Sequence, residues 1–189
     1  MLRSLSIIFV LGFFAVAASA QRSVVATAER ISGDTFSFSV TTPKGAHAYA
    51  VHQPSAAMIR AIDSGLTDLF AVARKNRYNN RLNYSDYTVF IAKADRTEDS
   101  TGAYSPDIAV GAAQYAGSVY DKGGYIYAAG MVISTDPGAF LIAEHTRELQ
   151  RVSNVVRFEG EHLVLYYNDR QRYFATLDHS KGGGHPILQ

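Results

Sequence analysis

The sequence of 189 residues contains no cysteine and no tryptophan. Without cysteine the chain can form no disulfide, no thiol nucleophile and no cysteine-ligated zinc or iron–sulfur site. Its stability must therefore come from the packing of a core. The 12 tyrosines and 10 phenylalanines supply bulky side chains for that core, and such residues are typical of a protein that contains a β-sheet.

The sequence also lacks an excess of charge of either sign. It has 18 basic and 17 acidic residues. Binding of nucleic acid by counterion release needs a basic face, so we expect no nucleic-acid partner. A basic run lies at 74–77, with Arg81 nearby, and we interpret it as the solvated end of a helix.

No hydrophobic run is long enough to span a membrane, which takes about 20 apolar residues. The longest run is at residues 7–16, between Arg3 and a cleavage pattern of the A-x-A type at 18–20. This arrangement predicts a secretory signal peptide at residues 1–20, with the mature chain starting at Gln21. An uncleaved anchor is the alternative. We expect a secreted or periplasmic protein without a membrane span after signal cleavage.

Residues 21–189 have the length of one globular domain. They contain no internal repeat, no low-complexity tract and no linker. A chain of about 170 residues is long enough to bury a sizeable core. We therefore predict a single domain.

Two segments have the periodicity of amphipathic helices. Apolar residues recur at spacings of three and four over 58–73, and Ser55 can cap the start, which predicts a helix at about 55–76. Gly65 could interrupt it. The second predicted helix covers 153–167.

Apolar runs that alternate with polar residues, or that are nearly continuous, predict strands. They lie at 24–28, 36–40, 86–92, 108–110, 125–133 and 173–175. The first two should form a hairpin across a turn at Gly33, and 125–133 should be a central strand. Residues 139–149 are compatible with helix or strand. Because helices and strands do not alternate regularly, we predict an α+β fold with a mainly antiparallel sheet packed against two principal helices.

Histidines and acidic residues are concentrated near the C-terminus. Four of the six histidines lie there: His145, His162, His179 and His185. In a helix at 153–167, Glu159 lies three residues before His162, so both are predicted on the inward face. A buried carboxylate needs a partner or a metal. Candidate partners are Arg147, Arg151, Arg157, a metal ion, His179 and His185.

The segment Phe158-Glu159-Gly160-Glu161-His162 resembles the H-E-x-x-H motif of zinc metallopeptidases, with phenylalanine in place of the first histidine. In the intact motif the histidines bind zinc and the glutamate activates water. By this resemblance His162 would bind zinc or another divalent metal and Glu159 would act in catalysis. The missing ligands would have to come from His145, His179 or His185, of which we predict His179 and His185. Arg157 could stabilise an oxyanion or hold Glu159. The missing ligand argues against an intact protease site.

Three interpretations of this segment stay open: a structural polar pair, a metal site, or metal-free acid–base chemistry. If 158–167 were a strand, Glu159 and His162 would lie on opposite faces. The first functional hypothesis is an exported metal-dependent hydrolase or a degenerate relative of one; catalysis itself stays undecided.

The alternative function is a non-catalytic exported binding module for a small molecule, peptide or glycan. It would use a tyrosine-rich surface, because tyrosine combines an apolar ring with a hydroxyl group. The tyrosines concerned are Tyr104, Tyr115, Tyr120, Tyr125 and Tyr127. His47 and His52 are interpreted as residues of an ordinary loop.

Overall fold

The computed structural model describes residues 23–94, 106–111, 126–177 and 184–188. The predicted signal peptide and His179 lie outside the described residues, as do Tyr104, Tyr115, Tyr120 and Tyr125. Within the described ranges, no helix has the length and apolarity that crossing a membrane requires.

The described residues form four α-helices and seven strands. The helices are α1 at 23–32, α2 at Ala56–Lys75, α3 at Leu149–Asn168 and α4 at Arg170–Thr176. The strands are β1 at Phe38–Thr41, β2 at His47–Ala50, β3 at Thr88–Ala92, β4 at Ile108–Val110, β5 at Ile126–Ala128, β6 at Gly130–Ile133 and β7 at Asp136–Ala143. A 3₁₀ turn, Tyr84–Asp86, precedes β3.

Five strands form one sheet in the order β1-β2-β3-β7-β6, and β4 pairs with β5 in a second, two-stranded sheet. Strands β2, β3 and β7 are parallel, whereas β1 and β6 pair antiparallel at the edges. The predicted α+β fold is confirmed, but the main sheet is mixed, not mainly antiparallel. The reason is α2, which returns the chain from the end of β2 to the start of β3 and so makes the two strands parallel.

The main sheet is covered on both faces. Helices α2 and α3 share one apolar cluster with Ala48, Ala50, Val89, Ile91, Phe140 and Ile142 of the sheet. Helix α1 and the second sheet share another cluster with Phe90, Met131, Leu141 and Ala143. Side chains of a strand alternate between faces, so neighbouring residues of β3 and β7 enter different clusters.

Helices α2 and α3 approach each other closely at a glycine. A methyl group at Gly65 would overlap the carbonyl oxygen of Ser153 on α3. Gly65 therefore does not interrupt α2 but permits this packing. Ser153 does not begin α3, which starts at Leu149; its hydroxyl donates a hydrogen bond of 3.0 Å to the carbonyl of Ala61.

Two predicted strands are helices instead. Residues 24–28 belong to α1, because Val24, Ala28 and Ile31 recur at helical spacing and pack on the sheet. Residues 173–175 belong to α4, which begins after Asp169; the Asp169 carboxylate accepts a hydrogen bond of 3.0 Å from the Arg172 N–H. Helical phase in α1 and capping in α4 outweigh the strand preference of valine, tyrosine and phenylalanine.

The predicted hairpin between 24–28 and 36–40 is wrong for the same reason. The first hairpin joins β1 to β2 across the turn that contains Gly45, whose φ is 105°. The predicted central strand at 125–133 is divided at Ala129 into β5 and β6, which lie in different sheets. Strand β6 is an edge strand, and the ambiguous segment from 139 onward continues β7 as far as Ala143.

Candidate functional site

Helix α3 is buried on all its sides over two turns. Every residue from Glu159 to Leu165 is buried, although an amphipathic helix exposes about half of its surface. Three polar side chains are therefore in the interior: Glu159, Glu161 and His162. Together with His185 of the C-terminal segment 184–188, they form what we call the buried cluster.

Glu159 faces the edge strand β6. A methyl group at Gly130 would lie 2.7 Å from its Cγ, so glycine leaves the room that this side chain occupies. Burial raises the pKa of Glu159 to about 7; the nearby His185 and a hydrogen bond from the Val132 N–H act in the opposite direction. The carboxyl group thus exchanges its proton near neutral pH.

His162 lies between Glu159 and the C-terminal segment. Its Nε2 is 4.0 Å from Oε2 of Glu159, beyond hydrogen-bond distance. Its ring centroid is 5.6 Å from that of His185 and 6.4 Å from that of Tyr173, both edge-on. Burial raises the pKa of Tyr173 to about 12, which keeps its hydroxyl protonated.

Glu161 holds the C-terminal segment on α3. Its Oε1 accepts a hydrogen bond of 3.1 Å from the Ile187 N–H, and its Oε2 is 3.3 Å from Nδ1 of His185. The His185 ring packs 5.0 Å from the ring of Phe158. Ile187 is buried in the cluster shared by α2, α3 and the sheet, so this segment is part of the core.

The structure brings together three of the sequence-predicted site residues: Glu159, His162 and His185. Arg157 lies apart from them, with its guanidinium carbon 5.3 Å from the centroid of the Phe158 ring. In the described part of the chain, no hydrogen bond or ion pair joins Arg157 to Glu159. Glu161 also belongs to the buried cluster, although its helical phase did not predict an inward side chain.

The structure describes two of the three predicted metal ligands, His162 and His185. Among the described residues, no group of three or more histidine, aspartate or glutamate side chains is arranged to hold a metal ion. His179, the third predicted ligand, lies outside the described residues. Of the five tyrosines predicted to form the alternative binding surface, the structure describes Tyr127, which lies on β5 and is 51% exposed.

A second group of ionisable residues surrounds a cleft elsewhere on the molecule. The cleft, of about 610 Å³, is lined mainly by residues that follow β2 and β7, together with Ile91 and Ala94 at the end of β3, Met58 of α2 and Pro106. There the Nδ1 of His52 lies 2.7 Å from Oε2 of Glu144. The two residues are 92 positions apart in the sequence, so no spacing rule could reveal the pair. His145, predicted with the C-terminal histidines, also lines this cleft.

The buried cluster contains a carboxyl group that can bind and release a proton near neutral pH. A carboxyl group with a pKa near the working pH is suited to general acid–base catalysis, and Glu159 has an imidazole next to it. No known protein family, curated protein or solved structure matches this chain.

Proposed function

We propose that the protein is an exported hydrolase whose chemistry is carried by the buried cluster of Glu159, Glu161, His162 and His185. The supporting observation is that side chains of α3 and of the C-terminal segment converge there, although 23 or more positions separate His185 from the three helix residues. Burial of two carboxyl groups and an imidazole costs free energy unless they are paired, and a function is one reason to retain them. A buried carboxyl group whose pKa lies near neutral pH, as that of Glu159 does, is typical of active sites.

In this proposal Glu159 is the general base. Its carboxylate removes a proton from water as the water oxygen attacks the carbonyl carbon of the substrate. His162 then passes this proton from Glu159 to the leaving group as the ester or amide bond breaks, so that both side chains return to their starting state. Each proton transfer of this kind contributes about 10²- to 10⁴-fold to a rate.

A divalent metal such as zinc is the second form of the same proposal. His162 and His185 would supply two ligands, with His179 from outside the described residues as the third. Zinc sites that catalyse hydrolysis have three protein ligands and a bound water. Glu159 would then activate that water, as the glutamate does in the motif that residues 158–162 resemble.

Substrate would reach the buried cluster past the C-terminal segment. The His185 side chain is 18% exposed, whereas those of Glu161 and His162 are at most 2% exposed. We therefore propose that substrate enters beside His185, and that Glu161 keeps residues 184–188 on α3 during turnover. Arg157, which packs on Phe158, then flanks the opening.

The test measures hydrolysis by the full-length wild-type protein and by two single-residue variants. The substrates are p-nitrophenyl acetate, which is an ester, and fluorescently labelled casein, whose peptide bonds are amides. E159Q keeps the size of the side chain and H162A removes the imidazole; each should lower kcat/KM by about 100-fold or more. The matched control is H47A, because His47 is an exposed histidine on β2.

Metal content separates the two forms of the proposal. Stoichiometric zinc in wild type, lost in H162A and after chelation together with activity, would support the metal form. Activity that survives chelation would support the metal-free form. Hydrolysis of none of the substrates, or rates that E159Q and H162A leave unchanged while both proteins stay folded, would contradict the proposal and favour the binding module with exposed Tyr127.

A further inference from the structure

The cleft described above has the position that ligand sites occupy in sheets with parallel strands. Most of its lining residues lie at or after the carboxyl ends of β2, β3 and β7, and they include Ser55, which caps the start of α2. Ligands of open sheets bind outside the carboxyl ends of their strands, because the loops diverge there. A volume of about 610 Å³ is within the range of small-molecule sites.

The rim of the cleft offers a hydrogen-bond acceptor on His52. An ionised carboxylate can only accept, so the 2.7 Å contact with Glu144 places a proton on Nδ1 of His52. In the neutral ring, Nε2 then carries no proton and is an acceptor. The neighbouring carboxylate fixes the tautomer, as it does for catalytic and metal-binding histidines.

The other ionisable groups of the rim disfavour an anion. Glu144 and Glu148 supply two carboxylates against one guanidinium, that of Arg147. Burial, the largest effect, lowers the pKa of His145, so this imidazole is uncharged at neutral pH. The rim is thus rich in acceptors and carries a net negative charge.

The floor of the cleft is apolar. Met58 and Ile91 are 3% and 2% exposed, and Ala94 and two prolines, Pro54 and Pro106, complete the apolar lining. The thioether of methionine makes favourable contacts with aromatic rings. A flat apolar molecule can therefore bury its ring on this floor.

We propose that this cleft binds an uncharged aromatic molecule that bears a hydroxyl group. The ring packs on Met58, Ile91 and Ala94, and the hydroxyl donates to Nε2 of His52. The site is independent of the buried cluster, since none of its lining residues belongs to α3 or to the C-terminal segment. The proposal for the cleft therefore does not depend on the proposed hydrolase activity.

Calorimetric titration with three matched probes tests the ligand class. The probes are 2-naphthol, naphthalene and 2-naphthoate, which share one ring system and differ in hydrogen-bonding capacity and charge. One hydrogen bond corresponds to about a 2- to 10-fold difference in Kd. We expect 2-naphthol to bind about 5-fold more tightly than naphthalene and 2-naphthoate to bind most weakly.

Two pairs of substitutions locate the site. T146W fills the cleft from its exposed rim and should weaken binding of 2-naphthol by about 10-fold or more; T135W, in the exposed turn before β7, is the control. H52F keeps a ring but removes the acceptor, and should abolish the preference for 2-naphthol over naphthalene; H47F is the control.

Each contrary result overturns the proposal. If 2-naphthol does not bind, or if T146W binds it as well as T135W does, the cleft is not the site. If 2-naphthoate binds as tightly as 2-naphthol, the ligand class is wrong. Circular dichroism of all four variants ensures that a loss of binding is not a loss of fold.

Discussion

The Nδ1 atom of His185 lies 3.3 Å from Oε2 of Glu161, a carboxylate that solvent does not reach. The other oxygen of the same carboxylate accepts the Ile187 N–H. One side chain of α3 therefore holds two residues of the C-terminal segment. Because both contacts replace water around a buried charge, the attachment of this segment should be measurable as stability.

Substitution of Glu161 by alanine should destabilise the fold by about 2–3 kcal/mol. The hydrogen bond to a charged acceptor is lost, and the buried Ile187 N–H is left without its acceptor. Urea denaturation followed by circular dichroism gives the free energy of unfolding. The control is E148A, since Glu148 is an exposed acid just before α3; equal losses in the two variants would argue against the anchoring role of Glu161.

The stability of the protein should fall as the pH rises through the range set by Glu159. The pKa of this group is about 7 in the fold against 4.5 as its ordinary value, so the folded state binds the proton more tightly than the unfolded state. The contribution of Glu159 is complete below pH 4.5 and is lost as the pH rises toward 7. Between about pH 5 and pH 8 the loss amounts to about 2–3 kcal/mol.

E159Q isolates this contribution, because glutamine has nearly the same shape and does not ionise. Relative to wild type, the variant should gain about 2–3 kcal/mol of stability between about pH 5 and pH 8. Urea denaturation at several pH values measures the difference. E148Q should follow wild type, and parallel curves for E159Q and wild type would refute the raised pKa.

The two glycines between α2 and α3 should differ in their tolerance of alanine. A methyl group at Gly65 overlaps a backbone oxygen, that of Ser153, which cannot move without displacing α3. At Gly160 the nearest atom, 2.8 Å away, is the Cδ2 of Leu69, the end of a flexible side chain. Alanine also gains about 1 kcal/mol of helix propensity at both positions.

We therefore expect G65A to cost about 2–3 kcal/mol and G160A to cost less than about 1 kcal/mol. Thermal unfolding of both variants at one pH compares them directly. Each glycine is the control for the other, as both lie inside helices. A larger loss in G160A than in G65A would show that the helix packing differs from the one described.

A buried carboxylate also joins the first hairpin to α2. Asp63 accepts a hydrogen bond of 2.6 Å from the Thr42 hydroxyl and one of 3.1 Å from the Lys44 N–H. D63A should cost about 2–3 kcal/mol because it leaves the buried Thr42 hydroxyl and the partly buried Lys44 N–H without an acceptor. D68A, an exposed position on the same helix, should change stability by less than about 0.5 kcal/mol. Similar unfolding midpoints for the two variants would exclude this role.

The elements that could be predicted from the sequence are those with a local signal, such as apolar periodicity or a capping residue. Helix α2 has a long apolar period and a capping serine, and its predicted bounds, 55–76, agree with Ala56–Lys75 to within a residue. The signals failed where two local preferences compete. The valines of α1 and the Tyr173-Phe174 pair of α4 favour strands as residues but lie in helices because of their spacing, caps and packing.

The pairing of the strands could not be predicted for a different reason. Strands β3 and β7 are neighbours in the sheet but are far apart in the sequence. Which strand lies beside which depends on how distant segments bury their faces, and a single sequence does not encode this in any local spacing. The parallel core and the cleft at its carboxyl edge therefore became visible only in the structure.

The candidate site was predictable to the extent that helical phase applied. The phase of α3 correctly predicted that Glu159 and His162 point inward, whereas Glu161 was missed because a phase argument assumes one exposed face. Here the face of Glu161 is covered by residues 185–187. The glycine at 160 and the apolar residues around the helix were signals of such enclosure.

The docking of Ile187 also bears on the order of folding during synthesis. The core that it completes includes Ala46 and Ala48, so one apolar cluster gathers segments about 140 residues apart in the chain. Such distant pairings raise the contact order and slow the folding of a domain. During synthesis residues 185–187 are made after α3, so Glu161 stays uncovered until they follow and dock on the helix.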